Sequence, residues 1–179
     1  MDQQQRERNI AVLEWFDAIV FALTIVLIIL LFLVRTVRVD GTSMVPTLEN
    51  GDQLIARSIL YEPQRGDVVV IDGYIEFGAP LVKRVIGTEG DVVDIDFEQG
   101  QVFVNGQLLT EPYISAPTTR SFDVTFPVTV PEGHLFLMGD NRPNSKDSRD
   151  SDIGMIDKRD VLGKVVFRLV PFNKFGGIE

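Results

Sequence analysis

The chain of 179 residues carries 26 acidic against 17 basic side chains, a formal charge of -9. Its basic residues form no cluster able to track phosphates, which argues against nucleic acid as a partner. Cysteine is absent and histidine occurs once, at His134, so disulfides, thiolate chemistry and multi-histidine metal sites are excluded.

In chain order, the first feature is the apolar run AIVFALTIVLIILLFLV over 18–34, in which only Thr24 is polar. As a helix it would reach about 25 Å, just enough for a membrane span. Trp15 and Phe16 precede it and Arg35 and Arg38 follow, the aromatic and basic residues expected at two membrane interfaces. A cleaved export leader is the competing reading. The run is longer than such leaders usually carry, and no small-x-small site follows it. The expected organisation is a tail over 1–17, a transmembrane helix over 18–34 and one domain over 35–179, with the lipid bilayer as a partner. Orientation is undecided by charge, because Arg6 and Arg8 on one side balance Arg35 and Arg38 on the other.

Beyond Arg38 the apolar residues come in short runs broken by turn signals, among them DQLIAR, GDVVVID, PLVKRVIG, QVFVNGQLL and HLFLMGD. None keeps helical periodicity, and Asn105-Gly106 between QVFV and QLL is a strong hairpin signal. The predicted fold class is mainly antiparallel β behind one N-terminal transmembrane helix. Segments 74–80 and 111–120, rich in Gly, Pro, Ser and Thr, read as surface loops.

Three segments hold polar residues that turns alone do not explain. In the first, 41–48 (GTSMVPTL), Ser43 is a hydroxyl among apolar neighbours shortly after the span. It is either a nucleophile or a serine before a Pro turn. Val45 stands where the G-x-S-x-G elbow needs its second Gly. A serine nucleophile needs a base. His134, at the start of an alternating strand, has no evident orienting carboxylate.

The second segment, 81–91 (LVKRVIGTEGD), offers Lys83, whose pKa would fall if its amine were desolvated. Alternation puts Lys83 with Leu81 and Val85 and Arg84 with Val82 and Ile86, so one cation must lie against apolar neighbours. Arg84 cannot act as a base. A half-exposed Lys83 whose amine reaches water is the plain alternative. The third segment, 139–149 (GDNRPNSKDSR), reads as a scaffold orienting an amine, a solvated acidic loop or a calcium loop. Arg142, two residues after Asp140, breaks the EF-hand pattern.

Taken in order, a membrane span, GTSMVPTL, RGDVVV, KRVIGTEGD and GDNRPNSKDSR resemble the type I signal peptidases of bacteria across nearly the whole chain. The resemblance implies Ser43 as nucleophile and Lys83 as general base, with Ser145 hydrogen-bonded to the lysine and Asp147 and Arg149 supporting that loop. It also implies a tail in the cytoplasm, a catalytic domain outside it on the cell membrane, and preproteins with signal peptides as substrates. These would be cut after small-x-small sequences without a cofactor or metal, in pockets that include Met44, Leu48 and Val82. Relatives from double-membraned bacteria carry an oxyanion-binding serine two positions before the nucleophile. Here that position is Gly41, so the hole falls to a backbone N–H such as that of Ser43, or to another donor. Relatives in the endoplasmic reticulum use His where this chain has Lys83. Two rivals are a non-catalytic membrane-anchored binding or assembly factor on the same fold, and a self-cleaving regulator of the SOS-repressor kind. The latter would need a DNA-binding segment where the span lies.

Overall fold

The computed structural model describes residues 3–58, 61–72 and 79–178 and divides into two units, Met1–Val34 and Arg35–Glu179. In the first unit one helix, α1, runs over Gln3–Leu33. It takes in most of the segment read as a tail, because a helical backbone continues past Glu14 and Asp17, the charges that bounded the apolar run in sequence. Within it, Ala11–Ile28 has mean hydropathy 2.2 over a length of about 27 Å. The helix is long and apolar enough to cross a membrane. Val34, read as the last residue of the span, begins a strand instead.

The described residues of the chain form the strands β1 (Val34–Arg38), β2 (Gln53–Arg57), β3 (Val68–Ile71), β4 (Leu81–Thr88), β5 (Val92–Asp96) and β6 (Gln101–Val104). They continue with β7 (Gln107–Leu108), β8 (Val128–Thr129), β9 (His134–Met138), β10 (Ile156–Asp157), β11 (Val161–Val170) and β12 (Gly176–Gly177). One sheet has the order β1-β2-β11-β3-β4-β9-β10, with β12 also on β11, and a second has the order β7-β6-β5-β8. The recorded pairings are antiparallel, as the short alternating runs predict. Asn105 (φ 53°) and Gly106 (φ 75°) make the β6–β7 hairpin turn, both with the positive φ that this turn requires.

β4 departs from the simple alternation. Val82 packs in a cluster with Met44, Leu48, Leu54 and Val165, Ile86 joins one built on the second sheet, and Val85 joins a third with Leu135 and Leu137. Apolar side chains therefore cover both faces of the strand, and Lys83 and Arg84 are both buried, at 4% and 2% exposure. The pairing of β4 is also uneven along its length. Leu81, Val82 and Lys83 pair with β3, whereas pairing with β9 begins only at Arg84. The first three residues of β4 thus keep a free edge among the described residues.

The 74–80 loop lies outside the described residues except for its last two positions. The loop over 111–120 is not simply a surface loop. Thr118 is fully buried, Glu111 is ion-paired with Arg142, and the Tyr113 ring lies 3.9 Å from the guanidinium carbon of Arg84. Its Pro, Ser and Thr content signals irregular backbone, which burial does not forbid once the polar groups have partners.

Candidate active site

The turn that carries Ser43 is fixed at both ends. Val39 donates its N–H to Asp52 O at 2.8 Å and accepts from Gly51 N–H at 2.9 Å. Gly41 adopts φ +96°, a conformation costly for any residue with a Cβ, and donates its N–H to Asn50 Oδ1 at 2.9 Å. Within the turn Val45 N–H donates to Thr42 O at 3.2 Å and Leu48 N–H to Met44 O at 2.9 Å. Met44 and Leu48 sink into the core on either side of a cis Val45–Pro46 bond, which leaves Ser43 half-buried at the surface.

From the adjacent β4, Lys83 Nζ donates to Ser43 Oγ at 2.9 Å. Burial pushes the amine of Lys83 below its ordinary value of 10.5. Asp147 and Asp140 pull it back up, and Arg149 adds to the lowering. Desolvation dominates because a charged ammonium loses its hydration there.

Loop 139–149 closes the site from behind. Asn141 donates its backbone N–H to Ser43 O at 2.9 Å and its side-chain amide to Thr42 O at 3.0 Å, so one residue holds two successive carbonyls of the Ser43 turn. Asp140 receives a two-pronged contact from Arg84 Nε and Nη2, at 2.9 and 2.8 Å, and a hydrogen bond from Thr47 Oγ1. That carboxylate ties the strand of Lys83 to the turn of Ser43. Asp147 accepts from Gly139 N–H at 2.9 Å and from Arg149 Nε and Nη2 at 2.8 and 2.9 Å, while Arg149 also reaches the carbonyls of Arg120, Arg142 and Ser145. Arg142 spans Gly139 O, Thr118 and Glu111. Every buried cation of this loop meets a carboxylate, the condition under which buried charge is tolerated.

Gly139 sits at the tightest point. A Cβ built there would lie 2.3 Å from Ser145 Oγ and 2.5 Å from Ser43 O, so both groups crowd the same Cα. Ser145 Oγ is buried and makes no hydrogen bond to the described residues.

The sequence-predicted residues are thus distributed as follows. Ser43 and Lys83 touch, and Asp147 and Arg149 pair behind them. Ser145 packs beside them without a bond to Lys83. Met44 and Val82 line a small pocket with Ser43, Lys83, Arg38 and Asp40, whereas Leu48 is fully buried in the core and does not line it. His134 lies at the start of β9, its Nδ1 2.8 Å from Glu132 O. Asp140 is occupied by Arg84 and Thr47 rather than disposed as a calcium ligand. Sequence reasoning gave no role to the Arg84–Asp140 clamp, the two hydrogen bonds of Asn141, or Arg142–Glu111. The one available signal was the burial of Arg84 that alternation already allowed.

Residues 12–170 match the family described as "Signal peptidase, peptidase S26". The chain is 38% identical to signal peptidase I of Bacillus licheniformis, over 97% of this chain and 96% of that protein. It is 36% identical to signal peptidase I S of Bacillus subtilis (strain 168), over 97% of each. A signal peptidase I structure from Enterococcus faecalis V583 is 30% identical, with TM-score 0.49, covering 58% of this chain and 97% of that one. Since the family profile spans most of the chain and full-length relatives exceed one third identity, the chain belongs to the signal peptidase family, peptidase S26.

Proposed function

We propose that this enzyme is a membrane-anchored endopeptidase that removes signal peptides from preproteins through a Ser43–Lys83 dyad. The observation that carries the reading is a buried lysine of lowered pKa at 2.9 Å from a serine hydroxyl. With Lys83 neutral, the same contact runs from Ser43 O–H to the nitrogen lone pair, the geometry a general base requires. Lys83 takes the proton as Ser43 Oγ attacks the scissile carbonyl. The ammonium then protonates the leaving amine, giving an acyl-enzyme and the free N-terminus of the mature chain. Water that gives its proton to Lys83 hydrolyses the ester and restores Ser43. Asp140, Asp147 and Arg149 act as positioning residues. Ser145 supports Lys83, its buried hydroxyl having hydrogen-bonding capacity to spare. The Ser43 N–H makes no hydrogen bond to the described residues and is the donor assigned to the oxyanion. Gly41 N–H is engaged by Asn50.

Two features favour a signal-peptide substrate. The pocket beside Ser43 and Lys83 has a volume of about 40 Å³, room for a few waters and so for a methyl-sized side chain rather than Leu or Phe. The free edge of Leu81, Val82 and Lys83 accepts an extended chain by strand addition. α1 anchors the enzyme, with its N-terminus in the cytoplasm and Arg35–Glu179 on the far side.

The test is preprotein cleavage in detergent by wild type, Ser43→Ala and Lys83→Ala, with folding checked by circular dichroism. Cleavage by wild type alone supports the dyad. Undiminished cleavage by either folded variant, or none by wild type, favours a binding factor on the same fold.

A further inference from the structure

The small pocket at Ser43 has a larger neighbour. Arg38 and Pro80 line both, and the second, of about 480 Å³, is completed by Arg35, Thr36, Val37 and Leu162. Arg35 and Arg38 are exposed, and among the described residues neither guanidinium has an ion-pair or hydrogen-bond partner. The larger cleft therefore carries two unneutralised guanidinium groups and no carboxylate in its lining.

The direction of a bound chain along this groove follows from connectivity. Arg35 is two residues beyond Leu33, the last residue of α1, and two residues reach at most about 7 Å. The larger cleft is thus the end at which the chain leaves α1. The membrane-held part of a preprotein lies upstream of its scissile bond, so upstream residues occupy this end. At about 3.3 Å per residue, the three free-edge positions Leu81, Val82 and Lys83 pair with roughly the last three residues before the cut. The next residues upstream pass Pro80 into the larger cleft.

We propose that Arg35 and Arg38 are specificity-determining residues that select an acidic side chain, and disfavour a basic one, at about the fourth to sixth positions before the scissile bond. This rests on the peptidase reading above and extends it to a substrate stretch that the small pocket does not touch. The selection is electrostatic at exposed groups, so it is modest and weakens with salt.

Three preproteins that differ only at the fourth and fifth positions before the cut, carrying Glu-Glu, Ala-Ala or Lys-Lys, provide the test with full-length enzyme in detergent. The expected order of kcat/KM is Glu, then Ala, then Lys, with about a tenfold spread at low salt that shrinks at high salt. The spread collapses in the Arg35→Gln/Arg38→Gln double variant. Equal cleavage of all three by wild type, dependent on Ser43, overturns the inference and leaves the peptidase reading standing. No cleavage of any of them overturns both. A double variant that loses activity equally on all three, and only in vesicles containing anionic lipid, assigns the arginines to lipid headgroups instead.

Discussion

Gly139→Ala should cripple catalysis while leaving the domain folded. An ordinary contact for the new methyl needs about 3.4 Å, whereas it would start 2.3 Å from Ser145 Oγ and 2.5 Å from Ser43 O. Both must retreat by about 1 Å. The Ser43 carbonyl is held in place by Asn141 N–H, so the retreat drags the nucleophile turn relative to Lys83 and stretches the 2.9 Å contact. A shift of that size costs on the order of 100-fold in rate, while overpacking one methyl costs about 1–3 kcal/mol, or roughly 3 to 10 °C in Tm for a domain of this size. The assay is steady-state cleavage of a preprotein, separating kcat from KM, beside thermal unfolding. Gly176→Ala, where an added methyl meets nothing within 4 Å, serves as the control and should match wild type in both. A folded Gly139→Ala enzyme with kcat within about threefold of wild type would refute the claim that these two groups have no room to move.

Three further outcomes follow from the same geometry. Cleavage should rise with pH as Lys83 loses its proton. Because burial lowers its pKa, the rise should be centred below 10.5, and a pH–rate profile of kcat/KM reads the midpoint directly. Lys83→Met should abolish cleavage yet leave Tm equal or higher: burial penalises the charged amine, so the wild-type fold bears a cost at every pH below the ordinary lysine value, and Met removes it. Asp140→Ala should lower stability by about 3–5 kcal/mol, measured by urea unfolding, because it removes the carboxylate that meets the Arg84 guanidinium at 2% exposure.

The strands, the Asn105-Gly106 turn and the apolar N-terminal helix were legible because each is written in a few consecutive residues. β4 was legible only in part. Its alternation assumes one covered face, and nothing local records that both faces would be covered, which is why burial of Lys83 and Arg84 together was not foreseen. Ser43 and Lys83 stood out individually as a hydroxyl and an amine in apolar company, but their pairing came from the resemblance. They are 40 positions apart, and chain periodicity carries no information at that range. The clamp is still less local, since Arg84 and Asp140 are separated by 56 positions and Thr47 and Asp140 by 93. The irregular loop at 111–120 misled for the opposite reason: its composition reports backbone shape, and the burial of Thr118 and Glu111 depends on Arg142, far along the chain.

The free edge at the start of β4 has a consequence for how the enzyme behaves at high local concentration. An unpaired edge built to receive one strand is equally open to the same edge of another copy, and uncontrolled pairing of that kind leads to aggregates. Here the hazard is limited in three ways. The free stretch is only three residues long, too short to hold a partner strand by backbone bonds alone. Pro80, immediately before it, has no N–H with which to extend the ladder. Arg35 and Arg38 across the cleft would face their own like charges in a self-paired dimer. The groove can therefore stay open to passing chains without becoming a seed for its own precipitation.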